Sequence, residues 1–236
     1  MGIKMMNKKL YIKSCLFDLN YWLKTLLKLK LPDPYYKLKF SDSCLKKLIE
    51  EYEFNTVLDI GSGSGMHASV LKMHGKNVTE IDFGESIYSK ERGSKNKIIC
   101  DDFMNLNVDI KYDCIWASHV LEHQPNPGLF LKKCIEMLGD NGILAITVPP
   151  LKHEIVGGHL TLWNAGLLLY NLVFAGLDCK NASIYSYGYN VSVIVRRQLR
   201  KEVKISYDSG DITEFKEYLP EFCHEGFNGK VKKWNW

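Results

Sequence analysis

The sequence predicts an α/β fold in which helices cover both faces of a mostly parallel sheet. Short apolar runs rich in β-branched residues alternate with segments of helical spacing between residues 56 and 148. A glycine-rich turn joins the first run to the helix that follows it, and several of the runs end in an acidic residue. Such alternation favours parallel strands joined by right-handed crossovers.

Residues 1–53 are expected to form an N-terminal helical segment. Leucines at helical spacing in residues 14–31 alternate with lysines, which predicts an amphipathic helix that covers the core or lines the acceptor pocket. Peripheral membrane contact is the alternative for the same pattern. A second helix is predicted to start near Ser41 or Ser43, because both are suitable N-cap residues.

Residues 54–198 are expected to form the core domain. Strands are predicted at 56–60, 77–82, 97–100, 112–117 and 142–148, and helices at 65–75, 85–92 and 127–139. A further helix is expected from Thr161, as its cap, to Ala175. Two runs, 179–187 and 189–197, meet at Gly188, and this short connection predicts an antiparallel pair.

Residues 199–236 form a polar C-terminal extension with a predicted helix at 212–218 and a turn at 227–230. The content of Tyr, Phe and Trp is too high for a disordered tail. We therefore expect the extension to dock on the core.

The turn after the first strand carries three glycines at every second position. A dinucleotide fingerprint, G-x-G-x-x-G, would place its third glycine at position 66, where the chain has methionine. The pattern is instead acid-x-G-x-G-x-G, from Asp59 to Gly65. An ordinary tight turn is the competing interpretation of the glycines alone.

This pattern resembles motif I of the class I S-adenosylmethionine (SAM) methyltransferases. The run YDCIWASHVLEH from Tyr112 to His123, then Asn126-Pro127 and the run NGILAITVP from Asn141 to Pro149, are similar to the broad methyltransferase families called types 11 and 23. The resemblance covers roughly residues 54–198. It implies a Rossmann-like seven-stranded sheet of order 3-2-1-4-5-7-6 with the last strand antiparallel, SAM as cofactor and S-adenosylhomocysteine as product.

The resemblance also implies a set of cofactor-binding residues. In that family the acid that closes the second strand binds the ribose, and a later acid and the N–H after it bind the adenine. Asp82 matches the first acid and Asp102 the second, although Asp101 competes with Asp102 and each acid is also interpretable as a solvated turn residue. The full predicted set is Asp59, Gly61, Ser62, Gly63, Gly65, Asp82, Phe83, Asp102, Phe103 and Ser118.

Histidines and a glutamate cluster after the fourth and fifth strands, where the crevice of such a sheet lies. A sugar hydroxyl benefits from a base that accepts its proton as the methyl group is transferred. The predicted catalytic residues are His159, which we favour as the base, His119 as second choice, His123 and Glu122. Purely structural roles are the alternative, including packing of His159 against Trp163.

His119, Glu122 and His123, with His159, resemble the Glu-x-x-Glu-His motif of some metal-dependent sugar, quinone and small-RNA methyltransferases. His119 replaces the first acid of that motif. A divalent metal is therefore not favoured, and no metal ligands are predicted.

Composition places the chain among ordinary globular proteins. The 236 residues are 46% hydrophobic and 25% charged. No uninterrupted apolar stretch is long enough to span a membrane, and none forms the apolar core of a signal peptide. Seven cysteines without a C-x-x-C pattern are typical of reduced thiols, so we expect a cytoplasmic location. Residues 1–50 contain 11 lysines and four acids, and this positive charge attracts anions such as the phosphates of a diphosphate, with a solvated helix face as the alternative interpretation.

These features predict a SAM-dependent O-methyltransferase whose acceptor is a small-molecule sugar nucleotide, for example GDP-heptose, used for a capsular or surface polysaccharide. The ending, with FNG and NW, resembles methyltransferases of such gene clusters. An RNA or protein methyltransferase is an alternative, but no basic stripe interleaved with aromatic residues supports a nucleic-acid partner. A SAM-binding protein without catalysis is another alternative, and the oligomeric state, a dimer included, is left open.

Overall fold

The structure is a computed structural model that describes residues 34–92, 98–223, 231 and 234–236. The amphipathic helix expected at 14–31 and the turn expected at 227–230 lie outside these residues.

A seven-stranded sheet of order β3-β2-β1-β4-β5-β7-β6 forms the centre of the molecule. The strands β1 to β5 pair in parallel, whereas β7 is antiparallel to both β5 and β6, so the predicted order and the reversed strand are confirmed. The bounds are β1 Thr56–Ile60, β2 Asn77–Asp82, β3 Ile99–Cys100, β4 Tyr112–Ser118, β5 Leu138–Val148, β6 Ser183–Tyr187 and β7 Asn190–Arg196.

Helices cover the two faces of this sheet and enclose two hydrophobic clusters. The α-helices are α1 Asp42–Glu51, α2 Met66–Met73, α3 Pro127–Met137, α4 Ala165–Phe174 and α5 Asp211–Phe215. Apolar side chains of α1 and α2 pack on one face around Trp116. Those of α3, α4 and α5 pack on the other around Ile146 and Val193. The central strands are therefore buried on both sides, which explains their continuous apolar runs.

Two predicted helices differ from the observed ones. Residues 85–92 contain only a 3₁₀ turn at Ser89–Glu91. Here Ser89 bonds through its backbone N–H to Ser86 and through its hydroxyl to Asp82, and such side-chain bonds compete with a regular helix. The helix expected from Thr161 begins at Ala165, where Asn164 caps it by accepting from Leu167 N at 2.9 Å.

Two further boundaries differ. Ser41 precedes α1 but makes no side-chain cap, because its hydroxyl bonds to Ser118 instead. The strand expected at 142–148 begins at Leu138, directly after α3.

The described part of the C-terminal extension packs on the core. Phe215 of α5 is fully buried, and the ring of Trp236 stacks on Tyr185 of β6 at 5.5 Å. The side-chain amide of Asn235 bonds to the start of β6. It accepts from Ile184 N and donates to the carbonyl of Ala182, the residue before the strand, each at 2.8 Å. Within the described residues, no helix has the length and apolarity needed to cross a membrane.

Candidate functional site

The glycine-rich turn lies between the carboxyl end of β1 and the start of α2. Gly61, Gly63 and Gly65 all have positive φ, at 67°, 51° and 78°. A Cβ atom on Gly61 would lie 2.5 Å from Cγ2 of Val120, so only glycine fits there. The backbone of the turn therefore packs directly against Val120, just after the end of β4.

Asp82 closes β2 beside this turn, as predicted. Its Oδ2 accepts from Gly63 N at 2.8 Å, and its Oδ1 accepts from Gly84 N at 2.8 Å and from the hydroxyl of Ser89 at 2.6 Å. The carboxylate is therefore buried and held by three donors of the chain itself. Ser89 is the only one of these donors that acts through its side chain.

Arg92 holds the other side of the turn and was not predicted. Its guanidinium donates to the carbonyl of Gly63 at 2.9 Å, to the hydroxyl of Ser62 at 2.6 Å and to buried Glu80 at 2.6 Å. Asp59 of β1 is paired with Glu80 of β2 in the sheet. Burial is the main cause that raises the pKa of the Asp59 carboxyl, and the charge of Glu80 adds to this effect. Its Oδ2 is buried without a hydrogen-bond partner among the described residues.

The residues predicted to bind the adenine lie after β3. Asp102 caps a 3₁₀ turn by accepting from Met104 N at 2.9 Å, while the ring of Phe103 is buried against Phe130. Its competitor Asp101 is exposed and bonds to the side chain of Asn105. Phe83 remains 65% exposed, so its ring face is available to a ligand.

Two loops bring the four predicted catalytic residues together. The loop after β4 carries His119 and a 3₁₀ turn, Leu121–His123, while the loop after β5 carries His159. Backbone N–H groups of Leu160 and Thr161 donate to the carbonyl of Glu122 at 2.8 and 3.2 Å and fix one loop on the other. The rings of His123 and His159 then lie 5.0 Å apart, edge to face.

Glu122 occupies the centre of this cluster. Its side chain is fully buried, and neither oxygen accepts a hydrogen bond from the described residues. His119 Nδ1 lies 3.3 Å and His123 Nε2 3.8 Å from its Oε1. Since the carboxylate is closed to solvent, we expect it to act through the histidines and not on an acceptor directly.

Three residues of this cluster lie close enough together to bind a metal ion. One ligand atom each from Glu122, His123 and His159 lies within 4.8 Å of the others. His123 donates from Nδ1 to the carbonyl of Gly158 at 2.7 Å, which leaves the lone pair of Nε2 directed toward Glu122. A carboxylate and two imidazoles are suitable ligands for a divalent transition metal.

His159 differs from the other histidines in its electrostatic environment. Burial is the main cause that lowers its pKa, and the nearby histidines and Lys152 add to this effect against the opposing charge of Glu122. A lowered pKa favours the neutral form of the ring, and a neutral imidazole can accept a proton.

Three residues that the sequence did not single out lie around His119: Phe40, Tyr189 and Asn190. Phe40 lies on its ring with centroids 4.4 Å apart, and Tyr189 stacks at 6.0 Å. His119 Nε2 lies 3.0 Å from Oδ1 of Asn190, and Ser118 shares a 2.6 Å hydrogen bond with Ser41. No spacing in the sequence connects these positions, because they come from three distant segments.

Comparisons with known proteins match this chain to a family model, to curated relatives and to solved structures. A family model described as a methyltransferase domain matches residues 24–173. The ubiquinone biosynthesis O-methyltransferase of Coxiella burnetii (strain Dugway 5J108-111) is 30% identical over 95 residues, which cover 37% of this chain and 41% of that protein. The chain therefore matches less than half the length of this curated relative.

Two solved structures share the fold. A SAM-dependent methyltransferase from Archaeoglobus fulgidus has a TM-score of 0.53 and 18% identity over 65% of this chain and 91% of its own. The N-methyltransferase NodS from Bradyrhizobium japonicum WM9, in complex with S-adenosylhomocysteine, has a TM-score of 0.54 and 17% identity over 75% and 98% of the two chains.

Proposed function

The chain belongs to the methyltransferase domain family whose model matches residues 24–173, and from this premise we propose that it methylates a hydroxyl group of a small molecule. SAM is the cofactor, and it supplies an electrophilic methyl group. The proposal concerns the acceptor and the residues that act on it.

The glycine turn and the acids around it fit this cofactor. Three glycines in left-handed conformation expose backbone, and the buried Oδ2 of Asp59 has no hydrogen-bond partner among the described residues. We assign the methionine part to Asp59, Gly61, Ser62, Gly63 and Gly65, with Ser118 at the end of β4. Asp82 is assigned to the ribose, and Phe83, Asp102 and Phe103 to the adenine.

The observation that carries the hydroxyl proposal is the position of His159, whose ring lies against His123 and within 4.8 Å of the buried Glu122 carboxylate. Burial keeps the pKa of His159 below its usual range, so the ring is ready to accept a proton near neutral pH. Glu122 lies close enough to stabilise the cation that would result. A nitrogen acceptor would need no such base, and therefore the cluster favours an oxygen acceptor.

We propose a sugar hydroxyl of a nucleotide-activated sugar, such as GDP-heptose, as the acceptor. A sugar hydroxyl has a high pKa and gains most from a positioned base, which typically contributes 10²–10⁴-fold. Lys152 lies in the loop that carries His159, with its ammonium 4.8 Å from the ring centre of Tyr189 and 3.3 Å from the exposed carboxylate of Glu154. This cation supports an acceptor that carries phosphate groups.

A phenolic hydroxyl of a ubiquinone precursor is the second candidate. The name of the Coxiella burnetii relative supports it, although the match covers 41% of that protein. The rings of Phe40 and Tyr189, which lie beside His119 and 6.5 Å from each other, also suit a planar aromatic acceptor.

The experiment is to incubate the purified chain with SAM and a matched panel of nucleotide sugars and phenolic quinone precursors, and to follow products by mass spectrometry. A gain of one CH₂ unit on a nucleotide sugar supports the first candidate, and the same gain on a phenol supports the second. Methylation of an amine with no methylation of any hydroxyl would overturn the O-methylation proposal.

A further inference from the structure

Asn190, the first residue of β7, joins three separate segments beside the cluster. Its side chain is buried, with only 1% of the residue exposed. Its Oδ1 accepts from Ser41 N at 3.1 Å and lies 3.0 Å from His119 Nε2, and its Nδ2 donates to the carbonyl of Tyr187 at 3.2 Å.

These partners leave a single orientation for the amide. A backbone N–H only donates and a backbone carbonyl only accepts, so the oxygen must face Ser41 and the nitrogen must face Tyr187. The reversed amide would place its nitrogen against the Ser41 N–H and its oxygen against the Tyr187 carbonyl, and both pairs would be left without a hydrogen bond in a buried site.

The orientation of Asn190 determines the tautomer of His119. Oδ1 of Asn190 is an acceptor 3.0 Å from His119 Nε2, whereas neither oxygen of Glu122 accepts a hydrogen bond from the described residues, so the geometry places the ring hydrogen on Nε2. In the neutral ring, Nδ1 then has no hydrogen, and its lone pair lies 3.3 Å from Oε1 of Glu122.

We propose that Asn190 is a positioning residue that keeps the ring hydrogen of neutral His119 on Nε2 and directs its Nδ1 lone pair toward Glu122. His119 has a φ of 56° and Ser41 one of 55°, a left-handed backbone conformation that non-glycine residues rarely adopt. The bonds to Asn190 hold both residues in place. His119 is consequently not available to take a proton from an acceptor through Nε2.

This inference assigns a role within the site and, for its kinetic effect, depends on the proposed function. Without the acceptor oxygen of Asn190, the ring hydrogen of His119 would move to Nδ1, where Glu122 accepts it. We expect the loss of this arrangement to lower kcat roughly 10- to 100-fold while SAM affinity stays unchanged, since small displacements in a site have costs of this size.

The test is a long-range ¹H–¹⁵N NMR spectrum of the ¹⁵N-histidine-labelled full chain, recorded at a pH where the ring is neutral. The signals of His119 are identified by their loss in His119→Asn. The expected result is a protonated Nε2 and an unprotonated Nδ1 in the parent chain. In Asn190→Leu the pattern should shift toward a protonated Nδ1, whereas Asn190→Asp, which keeps an acceptor oxygen, should restore the parent pattern.

Ser192→Ala provides the control on the same strand. Ser192 is also buried, but its hydroxyl bonds to Thr147 and Tyr187 and not to His119. Its substitution should leave the His119 signals unchanged. A parent spectrum with the hydrogen on Nδ1 would overturn the inference even if Asn190→Leu fails to fold, and this result does not depend on which acceptor the enzyme methylates.

Discussion

His123 donates from Nδ1 to the carbonyl oxygen of Gly158 at 2.7 Å, across 35 residues of sequence. Gly158 has a φ of 81°, and a Cβ atom at this position would lie 3.1 Å from the same Nδ1. The close approach of the two loops, and with it the pairing of His123 with His159, therefore requires glycine at position 158.

Gly158→Ala should lower kcat by roughly 10- to 100-fold and leave SAM affinity within experimental error, because the two loops would separate while the cofactor residues stay in place. Steady-state kinetics and calorimetry with SAM measure the two effects. Gly157→Ala is the matched control, since a Cβ atom there meets no heavy atom within 4 Å and its φ is not positive. An equal loss of kcat in Gly158→Ala and Gly157→Ala would show that the contact between Gly158 and His123 has no specific role in catalysis.

His159→Asn should lower kcat by roughly 10²–10⁴-fold with SAM affinity nearly unchanged, because asparagine keeps hydrogen bonding but cannot accept the proton. Single-turnover rates separate this loss from effects on product release. Near-full activity of both His159→Asn and His119→Asn would exclude a histidine base, and catalysis by positioning alone would then be the better explanation.

The pH dependence of kcat/KM should show the lowered pKa of His159. A base acts when it is neutral, so the rate should fall as the pH decreases, with a midpoint below the ordinary histidine value of about 6.5. The profile of His159→Asn should lack this acidic limb. A midpoint above 6.5 would contradict the assignment of the limb to a buried, neutral His159.

The metal alternative has its own readout. If Glu122, His123 and His159 bind a divalent ion that the reaction needs, EDTA should abolish activity and Mn²⁺ or Mg²⁺ should restore it. For the metal-free mechanism that we favour, we expect activity to be unaffected by EDTA, and calorimetric titration with Zn²⁺ should show no site that is lost in His123→Ala.

Asp82→Ala should weaken SAM binding at least tenfold with the fold intact, because a carboxylate that accepts from ribose hydroxyls contributes about 1.5–3 kcal/mol. Isothermal calorimetry measures the change. Ser89→Ala is a useful second variant, because the hydroxyl of Ser89 already donates a hydrogen bond to Oδ1 of Asp82 at 2.6 Å. Removal of this hydroxyl should leave the affinity for SAM equal or higher. An unchanged affinity for SAM in Asp82→Ala would show that Asp82 does not bind the cofactor.

His67 predicts a pH dependence of stability. Its Nε2 donates to the carbonyl of Phe40 at 3.0 Å, and burial lowers its pKa to about 4. The unfolded chain binds the proton first as the pH falls below about 6.5, so stability should decrease between pH 6.5 and 4. Because the ring keeps part of its surface exposed, we expect a loss of about 1 to 3 kcal/mol.

Urea unfolding at several pH values measures this dependence. His67→Gln retains a donor for Phe40 and should remove most of the acidic decrease that His67 causes. His153→Gln, at an exposed histidine, should leave the dependence as it is in the parent chain. An identical acidic decrease in His67→Gln would assign it to other groups.

The sequence predicted the sheet well because each central strand is a continuous apolar run, and the resemblance supplied the order. The helix at 85–92 was predicted wrongly because Ser86 and Ser89 bond locally and to Asp82, which periodicity does not reveal. Thr161 failed as a cap because its hydroxyl oxygen accepts from Trp163 Nε1 at 2.8 Å, while its backbone N–H donates to the carbonyl of Glu122, 39 residues away.

The candidate site was predictable where its residues follow strands, as with His119, Glu122 and His159. Asn190 and Phe40 could not be found in this way. Asn190 is 71 residues from His119, and its role depends on which of its amide atoms faces a backbone N–H. Only the folded arrangement contains that information.

The contact between Asn235 and β6 also bears on how the molecule behaves at high concentration. β6 is an outer strand, and its open backbone would be a template for strand addition by another molecule. The amide of Asn235 satisfies one donor and one acceptor of that edge in the manner of a neighbouring strand. Asn235 thus covers part of this open edge, and Asn235→Ala should reduce solubility before it reduces methyl transfer.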